Sequence, residues 1–281
     1  VKHQEGIFMA ARKTSLYYQG WLPEGEVRAV LIVVHGLAEH SGRYMNLVDC
    51  FVPLGYAVYG IDHIGHGRSE GRRLHVDAFS DYTEPLRTYL DMVRCWQPDK
   101  PLFLVGHSMG GLIGALHLIA CQEGLAGAVL SGPAVKAPGN LPKAVVWIGR
   151  VLSVLLPRMG MVPLEAEGVS RDPEVVKAYL GDPLVCRGKM TARLGAELLD
   201  AMERVRTEAD HIRLPLLILQ GGSDRLVDPS GARMLYERAA SVDKRLIVYE
   251  GLYHEVFNEP EHGGVLSDVE QWLEIHLPRR L

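Results

Sequence analysis

The stretch Pro101-Leu102-Phe103-Leu104-Val105-Gly106-His107-Ser108-Met109-Gly110-Gly111 leaves the chain few choices of fold. Its apolar run between a proline and a glycine suits a buried strand, and residues 112–120 continue as a helix. Ser108 therefore falls on the corner between them. A strand that reverses sharply into a helix strains its corner residue and leaves room only for small neighbours, which Gly106, Gly110 and Gly111 supply. The serine hydroxyl is thereby pushed out of the fold. The first amides of the helix have no partner within it and carry the positive end of its dipole, so the Met109 amide can hold a developing oxyanion. A Gly-x-Ser-x-Gly pattern alone is too short to be specific; the strand before it and the helix after it carry the inference. The plainer reading is a glycine-rich turn whose serine caps the helix.

The rest of the chain repeats this alternation. Residues 6–22 mix β-branched and aromatic side chains with turn signals, as in an antiparallel hairpin. Residues 29–34 and 56–61 are the next strands, the first of them apolar throughout as in strands covered on both faces; polar, glycine-bearing loops follow at 35–44 and 62–69. Such loops lie at the carboxyl edge of a parallel sheet, where ligands bind, which makes the Leu37 amide a second candidate oxyanion donor. His63 and His66 are read as loop structure, because nothing in their spacing favours proton transfer. Helices are expected at 46–54, 80–96 and 230–240, strands at 126–130, 214–221 and 245–249, and a closing helix around Val265, Val269, Trp272 and Leu273.

From residue 132 to about 207 the alternation stops and no strand is convincing. The segment opens with a proline-glycine patch, residues 133–142, and is expected to form a helical cap (133–207) inserted into a core made of 1–132 and 208–281. Residues 143–156 are apolar almost all round, interrupted by Arg150 and Ser153. One side of such a helix can rest on the body, while the other lines an acyl tunnel or meets a membrane or micelle transiently; the alternative is a helix buried within a packed cap. Residues 194–205 supply another cap helix.

A length of 281 residues fits one large α/β domain with such an insertion. The net charge of −4 is mild, without basic runs or RNA-binding aromatic patterns, so nucleic acid is not an expected partner. Four cysteines without metal-ligand spacing point to a reducing compartment and to no bound metal. With no long apolar segment, a soluble, cytoplasmic protein is expected.

A serine hydroxyl needs a base to take its proton and a third group to orient that base. Among the twelve histidines, His254 sits directly after the last strand. Asp224 and Asp228 share the loop after the preceding strand; Asp224 lies close to its glycines, whereas Asp228 precedes Pro229 and suits a helix cap. Ser108, Asp224 and His254 are thus the expected relay, in the order serine, acid, histidine.

With these stretches the chain resembles the serine α/β-hydrolases, and within them the monoacylglycerol lipase and lysophospholipase-like group. The matching residues are His35-Gly36 with 39–44, Asp62 with 65–71, 106–111, 182–187 in the cap, 224–226, and 249–251 with Tyr253-His254. The resemblance implies an α/β-hydrolase fold, that triad without a cofactor, and oxyanion donors at Leu37 and Met109. It also implies a polar end formed by Glu39, Arg43 and Tyr179 where a glycerol head group rests; their alternative roles are a loop salt bridge and a packed tyrosine. Phe257 stands where the animal enzymes have a second histidine and Val227 where they have a cysteine, while Cys186 keeps its match. The expected activity is hydrolysis of monoacylglycerols or similar one-chain esters, with a short-chain, aryl or phthalate monoester esterase as the alternative and a non-catalytic binding protein of this fold as the third reading. Epoxide hydrolase and dehalogenase chemistry is disfavoured, since it uses an aspartate where Ser108 stands.

Overall fold

The computed structural model describes residues 1–10, 13–139 and 142–277. Its first half runs β1 (Lys2–Met9), β2 (Ser15–Leu22), β3 (Ala29–Val34), α1 (Met45–Phe51), β4 (Tyr56–Ile61), α2 (Ser80–Trp96), β5 (Leu102–His107), α3 (Met109–Ala120) and β6 (Gly127–Ser131). An inserted segment follows: α4 (Lys143–Leu155), β7 (Gly160–Pro163), α5 (Pro173–Gly181), β8 (Lys189–Thr191) and α6 (Ala192–Glu208). The chain then closes with β9 (Leu216–Gly221), α7 (Ser230–Arg238), β10 (Lys244–Tyr249) and α8 (His262–His276).

Among the described residues, eight strands form one sheet in the order β1-β2-β4-β3-β5-β6-β9-β10. The β1–β2 and β2–β4 pairings are antiparallel and the rest parallel. Because successive side chains point to opposite faces, a continuously apolar strand feeds two cores. In β3, Val30, Ile32 and Val34 join α2 and α3 on one face, while Ala29, Leu31 and Val33 join α1 and α8 on the other. The loops after β3, β5, β9 and β10 all leave the same edge.

The inserted segment departs from expectation in three ways. Gly160–Pro163 and Lys189–Thr191 pair as a small antiparallel ribbon where no strand was expected; at three or four residues, mostly exposed, they carry no alternation to read. Helix α5 was also missed, although Asp172 caps it by accepting from the Glu174 amide and Pro173 opens it. Finally, α6 is not confined to the cap: Leu194, Leu198, Ala201 and Val205 belong to the α2–α3 core. Asn140 and Leu141 of the proline-glycine patch, and Ala11 and Arg12 of the expected hairpin, lie outside the described residues.

Helix α4 decides between the two readings offered for it. Trp147 is 67 % and Leu155 70 % exposed, so the helix is not buried within a packed cap. Val145 and Val146 line the cavity described below. No helix among the described residues is long and apolar enough to cross a membrane.

Candidate active site

Ser108 is the single residue between β5 and α3, and its φ of 53° lies in the left-handed region that side chains other than glycine avoid. The strain is held in place by close packing around it. A Cβ on Gly110 would sit 1.8 Å from the Val34 carbonyl oxygen, and one on Gly106 would sit 2.6 Å from the Gly110 oxygen. Helix α3 therefore starts directly against the end of β3, which brings the Met109 amide beside the β3 loop. In that loop Ala38 also takes a positive φ, and the Glu39 carboxylate folds back to accept from the Gly36 amide at 2.6 Å and from the Tyr44 hydroxyl at 2.8 Å. Leu37 and Met109 both line the cavity that Ser108 faces, and among the described residues neither amide donates a backbone hydrogen bond. Two free donors at that place suit an oxyanion.

His35, His63 and His66 are buried beneath this loop. The His63 amide donates to His35 Nε2, so His35 Nδ1 carries the proton and donates to the Gly36 carbonyl. Burial pushes all three imidazoles down and keeps them neutral, consistent with structural rather than proton-transfer roles.

His254 Nδ1 and Asp224 Oδ2 are 2.7 Å apart, with both side chains buried. Asp224 is held on every side: Gln220 Nε2 donates to the same oxygen, and the Leu226 and Val227 amides donate to the other. Burial works against its charge, but His254 and these amides outweigh burial and keep the carboxyl below its usual range. With Nδ1–H given to Asp224, Nε2 of His254 is the free base. Asp228 instead pairs with Lys136 and accepts from the Ser230 amide at the start of α7. His254 and Ser108 line one cavity; among the described residues the serine hydroxyl makes no hydrogen bond, a contact that commonly tightens only with substrate.

The electrostatics of His254 give a pH dependence. Burial disfavours the imidazolium, yet the hydrogen bond and charge of Asp224, helped by Glu255 and Glu39, raise its pKa above the ordinary 6.5. Acting as a general base, His254 would have to be neutral, so activity would be lost as pH falls through that raised value. The acid limb of a kcat/KM profile is expected to have its midpoint above 6.5. A midpoint at or below that value would show that another group sets the limb.

The cavity measures about 630 Å³. Most of its wall is apolar and comes from the inserted segment and neighbouring loops, including Val146, Val162, Leu164, Met190, Leu198 and Met202. Its polar residues include Glu39, His107, Tyr179, His254 and Glu255, and Lys136, Arg150, Glu165 and Arg225 also line it. Glu39 and Tyr179 thus both line the cavity. Arg43 lies one layer behind: its guanidinium bridges Glu39 and Glu255 and stacks over the Tyr179 ring, 4.6 Å from the centroid. Of the roles offered for it, the loop salt bridge is the one its contacts display; Arg43 is not part of the cavity wall. Phe257 is packed in the α1–α8 core rather than on the cavity, and Val227 lines it.

Sequence reasoning missed Glu255, Gln220 and His107. His107 packs against His254 with ring centroids 4.7 Å apart, and burial plus that neighbour push its pKa down to about 4, so it stays neutral. Glu255 had a signal, a charged residue directly after the expected base in an otherwise apolar turn. No cluster of three or more metal-ligating side chains occurs among the described residues.

The serine aminopeptidase S33 family profile matches residues 25–261. The chain is 40% identical to a monoacylglycerol lipase of Mycolicibacterium smegmatis, over 97% of this chain and 98% of that one. It is 38% identical to human monoglyceride lipase, over 92% and 86% of the two chains. Among solved structures, the monoacylglycerol lipase of Paleococcus ferrophilus superposes with a TM-score of 0.82 at 33% identity, covering 93% of this chain and 99% of that one.

Proposed function

The chain belongs to the serine aminopeptidase S33 family, and from that premise we infer a serine ester hydrolase that cleaves monoacylglycerols to fatty acid and glycerol. The observation that carries this reading is the make-up of the cavity: Ser108 lies on a chamber whose larger wall is apolar, with Glu39, Tyr179, His254 and Glu255 among the polar groups of the remainder. A one-chain ester has the same division. Its acyl chain gains about 0.8 kcal/mol of transfer energy per buried methylene, before ordering costs.

In this reading Nε2 of His254 takes the proton from Ser108 Oγ as Oγ attacks the ester carbonyl carbon. The carbonyl oxygen becomes an oxyanion, received by the Leu37 and Met109 amides. Asp224 stabilises the imidazolium, which then gives its proton to the departing glycerol oxygen. Water, deprotonated by the same imidazole, attacks the acyl-enzyme and releases the fatty acid and Ser108. Glu39 and Tyr179 border the leaving alcohol, with Arg43 holding Glu39.

The outward face of α4, with Trp147, Val154 and Leu155 exposed, supports transient contact with the lipid surface that holds the substrate. One assay series tests both points. Glycerol esters of C4 to C18 acids, offered as monomers and in phosphatidylcholine vesicles, are expected to turn over faster with length until the cavity is filled. Trp147→Ser is expected to lower the vesicle rate severalfold and leave the monomer rate unchanged. A preference for acetyl, aryl or phthalate esters would favour the short-chain esterase instead. Absence of turnover and of fluorophosphonate labelling would favour a binding protein.

A further inference from the structure

Glu255 follows the base directly and makes no hydrogen bond to any member of the relay among the described residues. It lines the cavity, is 5 % exposed, and approaches Glu39 although the two lie in loops after different strands. What joins them is Arg43. Its Nη1 donates to Glu39 Oε2 at 3.0 Å and to Glu255 Oε1 at 2.6 Å, and its Nη2 donates to Glu255 Oε2 at 2.8 Å. Two buried carboxylates thus share one guanidinium, and that guanidinium does not itself reach the cavity wall. A pair of carboxylates offers about eight acceptor positions. Glu39 uses three, on the Gly36 amide, the Tyr44 hydroxyl and Arg43; Glu255 uses three, two on Arg43 and one on Asn258 Nδ2. Each therefore retains acceptor capacity, and the cluster holds one carboxylate more than it has guanidinium. Of the basic side chains elsewhere on the cavity wall, Lys136 pairs with Asp228 and Arg150 with Asp200, while Arg225 stacks over the Tyr253 ring, a contact that does not neutralise it.

We propose that Glu255 makes the alcohol end of the cavity selective for neutral polyols: its carboxylate and that of Glu39 accept hydroxyls of the head group, while phosphate- or carboxylate-bearing head groups are repelled. Hydroxyls donating to ionised acceptors make short, strong hydrogen bonds. An anion brought to the same place meets uncompensated negative charge in a water-poor pocket, which is selectivity by exclusion as much as by attraction. The inference rests on the monoacylglycerol reading and adds to it the residue that discriminates the alcohol.

The test uses the purified full chain and three esters of one acid: 1-decanoylglycerol, its 3-phosphate, and methyl decanoate. Rates are taken on the alkaline plateau of each protein's own measured pH profile, so that any effect of residue 255 on the base is not read. The wild type is expected to cleave the glycerol ester about a hundredfold faster than its phosphate, in kcat/KM. Glu255→Gln is expected to lose about tenfold or more on the glycerol ester, chiefly through KM, and to change less than about threefold on methyl decanoate. Its activity on the phosphate is expected to rise. Equal losses on the glycerol and methyl esters would overturn the proposal, since residue 255 would then act through His254 or the fold. Should the variant not fold, the wild type decides alone: cleaving the phosphate as readily as the glycerol ester overturns it. A wild type that cleaves methyl decanoate but not the glycerol ester would instead overturn the monoacylglycerol reading.

Discussion

Ser108→Ala is expected to lower kcat/KM for a monoacylglycerol by about 10⁴-fold or more, with little change in melting temperature. Only the hydroxyl is removed; the backbone bonds that fix the corner, from the Ser108 amide to Ser131 and from the Ala134 and Leu112 amides to the Ser108 carbonyl, remain. The strain of a positive φ comes from Cβ, which alanine keeps, so the variant inherits the strain without the chemistry. Ser108→Gly makes the comparison sharper. It should be equally inactive yet more stable by about 1 kcal/mol, because glycine takes a φ of 53° without the Cβ clash, less its larger loss of chain entropy. Activity assays and thermal melts of the three proteins check this. Turnover retained in Ser108→Ala would remove the serine from the mechanism. A glycine variant no more stable than alanine would show that the corner is unstrained.

What could be read from the residues alone was whatever short-range geometry dictates. Gly106, Gly110 and Gly111 around one serine are a local demand of the backbone, and the continuous apolar runs of β3, β5 and β9 have no other home than a covered sheet. The order of Ser108, Asp224 and His254 followed from which loops leave the carboxyl edge. The Asp224–His254 contact spans thirty residues but needs only that topology. By contrast, β7 and β8 pair because of where α4 and α6 place them, and nothing in Gly160–Pro163 announces a strand. Arg43 and Glu255 are 212 residues apart, so their bidentate pairing, and with it the charge balance of the alcohol end, exists only once β3 and β10 share a sheet. The outward apolar stripe of α4 was legible as an excess of apolar positions; which of them face the cavity depends on packing against α6. Acyl-chain preference is in the same class, since it is set by the depth between α4, α6 and the loops.

Gly110→Ala is the substitution expected to damage the fold most. Alanine at an exposed interior helix position normally stabilises by roughly 0.5–1 kcal/mol over glycine. Gly264 in the first turn of α8 meets nothing within 4 Å of an added Cβ, so Gly264→Ala should be stabilising too, by less than at an interior position. At Gly110 the added carbon would lie 1.8 Å from the Val34 oxygen, 2.5 Å from the Val34 carbonyl carbon and 2.6 Å from the His35 oxygen. These are backbone atoms, so no rotamer change relieves the overlap; either α3 moves away from β3 or the end of β3 is displaced. Either shift moves the Met109 amide relative to Leu37, because the two donors belong to the two elements being forced apart. The expected cost is about 3 kcal/mol or more, the upper range for overpacking, and whatever folds should retain labelling of Ser108 poorly and turnover less. Urea melts of both alanine variants, read beside fluorophosphonate labelling, measure the two effects separately. If Gly110→Ala unfolds at the wild-type midpoint, the close approach of α3 to β3 is wrong, and with it the placement of the oxyanion donors.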